Sequence, residues 1–207
     1  MSRDIRCQIV SWRQVHRLSR DLAFRIRDDG FKSDIIVAVG RGGWIPGRLL
    51  SDYLGNLNLT DIKVEHYKGT QKHRRARVRY PLRASVDGQR VLVVDDVTDT
   101  GDSLDAAIDH IRSAGNPIEI RTAVLHHKAV SRCVPDYFAV KVETWRWIIY
   151  PWAMVEDLTG LVGALEGRPA EALAVAERLR QTHGIRVDPS VVRDVLALMG
   201  GDQSGAV

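Results

Sequence analysis

The sequence predicts an α/β fold in which helices alternate with the strands of a parallel sheet. Short apolar segments rich in β-branched residues predict the strands, and segments with helical spacing of apolar residues lie between several of them. Two of the strands run directly into glycine-rich turns. Right-handed crossovers would place the carboxyl ends of the strands along one edge, where α/β proteins bind ligands. The predicted strands are 35–39, 62–67, 90–95, 118–125 and 137–142, with 147–150 as an edge strand.

Three helices are predicted among these strands, and a glycine ends each of them, because a left-handed residue commonly follows the last helical turn. Ser11–Gln14 is a capping box at the start of the first helix. Pro46 is typical of the first turn of the second helix. The third helix begins after the turn at Gly101. The predicted helices are 11–30, 46–55 and 101–115.

Beyond Pro151 the sequence changes from alternating strands to helices and turns. Two amphipathic helices are predicted at 169–180 and 189–199, with Gly184 between them. We therefore expect a core domain at 1–152, a C-terminal helical extension at 153–200 and a short tail at 201–207.

The composition favours a globular protein that binds anionic molecules. The chain has 207 residues, of which 44% are hydrophobic and 27% are charged, and its formal net charge is +4. Its apolar runs are shorter than the roughly 20 residues of a membrane-spanning helix, and its start has no apolar signal region. The two cysteines, Cys7 and Cys133, are too few for a disulfide framework. We expect a cytoplasmic protein without a membrane partner.

The segment Val91–Leu104 carries the main chemical signal. Its first four residues are apolar and predict a buried strand, so Asp95 and Asp96 follow at a fixed strand end and point to opposite sides of the backbone. The turn Thr98–Ser103 then begins a helix, whose free N–H groups and dipole favour a phosphate, and Gly101 permits a close backbone approach. A shorter motif of this kind could be an exposed turn with a helix cap. The whole segment predicts a ribose 5-phosphate site.

This segment resembles the signature with which type I phosphoribosyltransferases bind 5-phosphoribosyl 1-diphosphate (PRPP): an apolar strand, Asp-Asp, two residues, Asp-Thr-Gly, one residue and Ser or Thr. The resemblance implies a Rossmann-like parallel-sheet core with a small hood. It assigns the ribose hydroxyls to Asp95 and Asp96 and a general acid/base role near N7 of a purine to Asp99. It implies that the 5′-phosphate is bound by Thr98, Thr100, Gly101, Asp102 and Ser103.

The stretch from Gly40 to Gly55 resembles the diphosphate turn and following helix of purine phosphoribosyltransferases, especially the microbial xanthine-guanine type. The resemblance implies that Arg41, Gly42 and Gly43 bind the diphosphate of PRPP. The residue types agree, since glycines let the backbone close on an anion and arginine forms bidentate pairs with it. A dinucleotide-binding fingerprint is excluded because Ile45 stands where its third glycine belongs.

Two segments further along the chain resemble base-recognition elements of the same family: 126–128 and 143–152. The resemblance implies that Lys128 donates to the 6-oxygen of a purine, that Trp147 stacks on the base and that the backbone of Ile148 contacts its pyrimidine edge. Packing in a core or an interface is the alternative for the tryptophan. Ile149 and Ala153 occupy positions where the microbial enzymes commonly have acids.

The segment 68–83 is strongly basic, with seven Lys or Arg residues, one His and no acid. Alone it is as compatible with a solvated loop or a nucleic-acid contact, taken together, as with a site for small phosphorylated molecules. The resemblance places the mobile catalytic loop of the family here, as a lid whose cations neutralise the leaving diphosphate. Its candidate residues are Lys72, Arg77 and Arg79.

The resemblance therefore implies an enzyme, a Mg²⁺-dependent glycosyltransferase of purine salvage that acts as a homodimer. It would transfer the phosphoribosyl group of PRPP to N9 of hypoxanthine, guanine or xanthine and release diphosphate. Magnesium would bind mainly through PRPP, with Asp95 and Asp96 as candidate ligands. Adenine remains the alternative base, since the C-terminal extension resembles archaeal purine enzymes, some of which prefer adenine. A PRPP-sensing regulator that binds nucleic acid remains the alternative to an enzyme.

Overall fold

The computed structural model describes residues 5–66 and 76–201. Lys72 and the predicted tail beyond residue 201 lie outside the described residues. The strands are β1 Cys7–Ile9, β2 Ile35–Gly40, β3 Leu59–His66, β4 Ala76–Tyr80, β5 Arg90–Thr98, β6 Glu119–Lys128, β7 Tyr137–Val142 and β8 Trp147–Ile149. The helices are α1 Trp12–Asp28, α2 Trp44–Leu54, α3 Asp102–Ala114, α4 Met154–Gly163, α5 Ala172–His183 and α6 Pro189–Gly201.

Six strands form one sheet in the order β4-β3-β2-β5-β6-β7. All neighbours are parallel except β3 and β4, which are antiparallel. This confirms the predicted α/β fold. The chain leaves β2 towards β3 on one side and leaves β5 towards β6 on the other side. The carboxyl ends of β2 and β5 therefore form the switch point at which open α/β sheets bind ligands.

The centre of the sheet is apolar because its strands are covered on both faces. All six residues of β2 are buried, as are Val91–Val94 of β5. The apolar residues Leu104, Ala107 and Ile111 recur on one face of α3 and belong to the same core cluster. A rigid pair of central strands therefore carries both predicted phosphate-binding turns.

The chain divides into two compact units. One unit, Arg13–Thr144, contains the six-stranded sheet. The other combines Met1–Trp12 with Trp145–Val207 and contains the parallel pair β1 and β8 together with α4, α5 and α6. Its apolar core includes Ile149, Leu158 and Val192. In the described part of the chain, no helix has the length and apolar character needed to cross a bilayer.

Three expectations about secondary structure need correction. Residues 76–80 lie inside the predicted mobile loop, yet they form β4 at the edge of the sheet, where exposed arginines alternate with half-buried Ala76 and Val78. Charged residues are typical of an edge strand. The predicted edge strand 147–150 does not join the large sheet, because β8 pairs with the N-terminal β1 instead. A further helix, α4, precedes the two that were predicted beyond Pro151.

Candidate active site

The turn after β2 packs directly against the end of β5. A Cβ atom on Gly42 would lie 2.6 Å from the carboxylate atoms of Asp96, and a Cβ on Gly43 would lie 2.2 Å from the carbonyl oxygen of Val94. Neither position leaves room for a side chain. The predicted diphosphate turn and the predicted acidic pair are therefore in contact, and Arg41 is exposed at the same turn.

Trp44 supports this turn, and the sequence reasoning missed it. A Cβ on Gly40 would lie 2.9 Å from the indole Nε1 of Trp44, so the ring lies against the end of β2. The same Nε1 donates a hydrogen bond of 2.9 Å to Asp61 of β3. An exposed aromatic residue directly after a glycine pair was the available signal.

The two acids at the end of β5 have different surroundings. Asp95 is 7% exposed, and its Oδ1 accepts a 2.8 Å hydrogen bond from the backbone N–H of Asp96. Burial and the neighbouring charge of Asp96 together raise the pKa of Asp95 well above its ordinary value. Asp96 is only half-buried. Asp95 is therefore the more enclosed of the two acids.

The predicted 5′-phosphate turn lies between β5 and α3. Gly101 has a φ of 95°, and a Cβ there would lie 2.4 Å from the Cβ of Cys133, so this position requires glycine. The N–H of Asp102 donates to Thr100 Oγ1 at 3.3 Å. Thr98, the last residue of β5, is buried, with its hydroxyl 2.9 Å from Nδ1 of His127. Ser103 is half-buried in the first turn of α3.

Arg132 is a second residue that the sequence reasoning missed. Its backbone N–H donates to the carbonyl of Thr100 at 3.2 Å. Its guanidinium donates to Oδ1 of Asp102 at 2.6 Å. Because Arg132 follows β6, only the pairing of β6 with β5 brings it to the turn.

Lys128 and Asp99 meet at the neighbouring ends of β6 and β5. The Lys128 side chain is 3% exposed, and its ammonium donates a 2.9 Å hydrogen bond to Asp99, whose side chain is 37% exposed. Burial and the charge of Lys128 lower the pKa of His126 to about 4, so His126 is neutral near pH 7. The structure thus brings the proposed proton-transfer residue and the proposed 6-oxygen donor into direct contact.

Trp147 and Ile148 belong to the other compact unit, and their roles in base binding stay predictions. The Trp147 indole Nε1 donates to Oδ1 of Asp157 at 3.0 Å. The side chain of Ile149 is fully buried in the core of that unit. Ile149 is therefore held by apolar packing.

The structure describes two of the three candidate residues of the basic segment. Arg77 and Arg79 are exposed on β4, whereas Lys72 lies outside the described residues. Their predicted contact with diphosphate stays a prediction.

The chain is similar to known proteins in both sequence and fold. Residues 7–157 match the phosphoribosyl transferase domain family. The xanthine-guanine phosphoribosyltransferase of Idiomarina loihiensis is 31% identical over 157 residues, which are 73% of this chain and 92% of that protein. The crystal structure of a purine phosphoribosyltransferase from Pyrococcus horikoshii is 36% identical, with a TM-score of 0.63 over 70% of this chain and 93% of that one. A hypothetical protein from Neisseria gonorrhoeae with bound ppGpp is 25% identical, with a TM-score of 0.63 over 77% of this chain and 97% of that one.

Proposed function

Because this chain belongs to the phosphoribosyl transferase family, we propose that it transfers the 5-phosphoribosyl group of PRPP to N9 of a 6-oxopurine. The products are the nucleoside 5′-monophosphate and diphosphate, as in purine salvage. One observation carries the proposal: the Lys128–Asp99 pair lies at the carboxyl ends of β6 and β5, beside the switch point between β2 and β5 where the Arg41–Gly43 turn meets Asp96.

PRPP has three anionic or polar regions, and the site offers a matching group for each. The N-terminus of α3 and the hydroxyl of Thr100 suit the 5′-phosphate. Asp95 and Asp96 suit the ribose hydroxyls. The Arg41 guanidinium and the backbone of the glycine turn suit the diphosphate. The 5′-phosphate and the diphosphate of PRPP thus bind at the two turns, and its ribose binds to the two acids between them.

Transfer requires the C1–O bond to diphosphate to break, which leaves positive charge on the ribose ring. The carboxylate of Asp96 favours that charge as it develops, while Arg41 favours the negative charge on the departing diphosphate. Groups that bind the developing charges more tightly than the ground state lower the barrier. The more deeply buried Asp95 orients a ribose hydroxyl.

The purine is bound and activated by Lys128 and Asp99. Lys128 donates to the 6-oxygen, and Asp99 accepts or returns the proton at N7 as N9 attacks. Adenine presents an amino group at position 6, which is itself a donor and opposes an ammonium. We therefore assign hypoxanthine, guanine and xanthine as the acceptor class.

The residues present fit a magnesium ion that arrives with PRPP. Within residues 5–66 and 76–201, no group of three His, Cys, Asp or Glu side chains could hold a metal by itself. Asp96, with Asp95 behind it, would contribute carboxylate oxygen, and the substrate would supply most ligands, as suits an ion that keeps its waters. Bound magnesium would neutralise diphosphate charge. The homodimer that the resemblance implies and the cytoplasmic location that the composition favours stay predictions.

The test is diphosphate release from PRPP and Mg²⁺ with each of hypoxanthine, guanine, xanthine, adenine and uracil. We expect release with one or more 6-oxopurines and at most a trace with adenine or uracil. Release with adenine alone would overturn the assignment of the acceptor. Tight PRPP binding without diphosphate release in the presence of any base would overturn the proposed enzymatic activity and favour a PRPP-sensing regulator.

A further inference from the structure

The segment that follows β6 forms a wall of the turn that begins α3. The N–H of Ser131 donates to the carbonyl of Lys128 at 2.9 Å, which ties this segment to the end of β6. Cys133 packs on Gly101 so closely that a Cβ there would lie 2.4 Å from it. Arg132 lies between them and donates its backbone N–H to Thr100. The geometry of the turn therefore depends on residues 131–133.

Asp102 places a negative charge at the turn that is proposed to bind the 5′-phosphate. It is the first residue of α3, where an acid interacts favourably with the free N–H groups and the helix dipole. Those same features attract the phosphate. Two anions at one helix terminus repel each other, and the repulsion is stronger where solvent is partly excluded. The Asp102 side chain is only 20% exposed.

The guanidinium of Arg132 supplies the compensating charge. It donates to Oδ1 of Asp102 at 2.6 Å, while its own side chain is 78% exposed. The other acid of the first turn, Asp105, interacts with the thiol of Cys133. Of the two acids in the first turn of α3, Arg132 therefore pairs with Asp102, which lies at the helix terminus.

We propose that Arg132 is a positioning residue for PRPP, which neutralises Asp102 and thereby allows the N-terminus of α3 to accept the 5′-phosphate. This inference rests on the proposed function, because that function assigns the 5′-phosphate to this turn. Arg132 acts through Asp102 and does not bind the reacting atoms. It therefore affects the affinity for molecules that carry the 5′-phosphate, and it leaves the chemical step alone.

The experiment measures binding of PRPP with Mg²⁺, and of ribose 5-phosphate, to the full chain by calorimetry, together with kcat. For Arg132→Ala we expect Kd to rise by about three- to fivefold for both ligands, with kcat close to that of wild type. The effect should shrink at high salt. Adding Asp102→Asn to Arg132→Ala removes the uncompensated charge and keeps the backbone N–H of residue 102, so both Kd values should return towards those of wild type.

Arg90→Ala is the matched control, since Arg90 also forms an exposed pair, with Asp34, but at the opposite end of β5. It should leave both Kd values unchanged. Unchanged affinity in Arg132→Ala, or a loss that Asp102→Asn does not repair, would overturn the inference. If wild type binds PRPP but transfers its 5-phosphoribosyl group to no purine, the proposed function fails. The binding measurements would still decide the role of Arg132.

Discussion

The ammonium of Lys128 donates a 2.9 Å hydrogen bond to the carboxylate of Asp99, across the neighbouring strands β6 and β5. In the proposed reaction these two groups address different atoms of one purine, its 6-oxygen and N7. Each therefore orients the other before the base arrives. A buried ammonium that already has an acceptor loses less freedom when it binds a second one. The two roles can be separated by substitution.

Asp99→Asn removes the proton-transfer group and keeps an oxygen that can accept from Lys128. We expect kcat to fall by about 10²–10⁴, the usual contribution of a general acid/base. The Kd for PRPP should stay near that of wild type, because the phosphate-binding turns are unchanged. Steady-state kinetics and calorimetry measure the two quantities. Near-normal turnover would refute the proton-transfer role of Asp99.

Lys128→Met removes the donor to the 6-oxygen and keeps most of the side-chain length. We expect kcat/KM for 6-oxopurines to fall by about 10–100-fold, the cost of an unpaired polar group in a site. The value for adenine should fall less, because adenine loses only the orientation that Lys128 gives to Asp99. Lys141→Met is the control, because Lys141 also pairs with an acid, Glu143, but is half-exposed on β7. Equal losses for hypoxanthine and adenine would contradict the assigned donor.

The sequence predicted the central strands and both turns because local patterns determine them. The apolar runs of β2 and β5 admit few other structures, and the glycine positions are read directly. The extension of β5 to Thr98 was missed, since it depends on pairing with β6 and on the hydroxyl contact with His127. No local pattern carries that information.

Other elements were missed because their partners are distant in sequence. β8 pairs with β1, and each has only three residues. β4 was not predicted because its segment is strongly basic, although Arg77 and Arg79 alternate with smaller residues as in a strand. Arg132 reaches Asp102 from 30 residues away. Sequence motifs thus identified the glycine-containing turns after β2 and β5 but not the residues that support them.

Gly42→Ala tests the contact between the diphosphate turn and the acidic pair. The new methyl would lie 2.6 Å from the carboxylate of Asp96, so the turn and the acid must separate. We expect kcat/KM for PRPP to fall by about 10²-fold, as small misplacements of reacting groups do. Gly160→Ala in α4 is the control, since a Cβ there meets nothing within 4 Å. It should leave kcat/KM unaltered and stabilise the protein by roughly 0.5–1 kcal/mol.

Removal of magnesium should abolish turnover without destabilising the protein. Among the described residues, no cluster of side chains could hold the ion alone, so we expect it to bind with PRPP. Thermal unfolding with EDTA should give the same Tm as with Mg²⁺. Adding PRPP and Mg²⁺ together should raise Tm, because a ligand bound only to the native state stabilises it. A rise in Tm with Mg²⁺ alone would contradict a substrate-borne ion.

Asp157 should make stability depend on pH in the direction opposite to that of most acids. Burial is the main cause that raises its pKa from 3.8 to about 6, although the hydrogen bond from Trp147 lowers it. Since the folded pKa exceeds the unfolded one, ionised Asp157 destabilises the native state. This destabilisation is small near pH 4, grows as the pH rises towards 6 and is complete above it.

Asp157→Asn should therefore stabilise the protein at pH 8 and have little effect at pH 4, while it still accepts from Trp147. The gain should be on the order of 1 kcal/mol, because the carboxyl is partly solvated and 1.36 kcal/mol per pKa unit is an upper limit. Glu177→Gln in α5 should have the opposite sign at pH 8, since Arg180 lowers the pKa of Glu177 to about 2. Thermal unfolding at both pH values measures these differences. An equal gain for Asp157→Asn at pH 4 and pH 8 would show that its charge is not the cause.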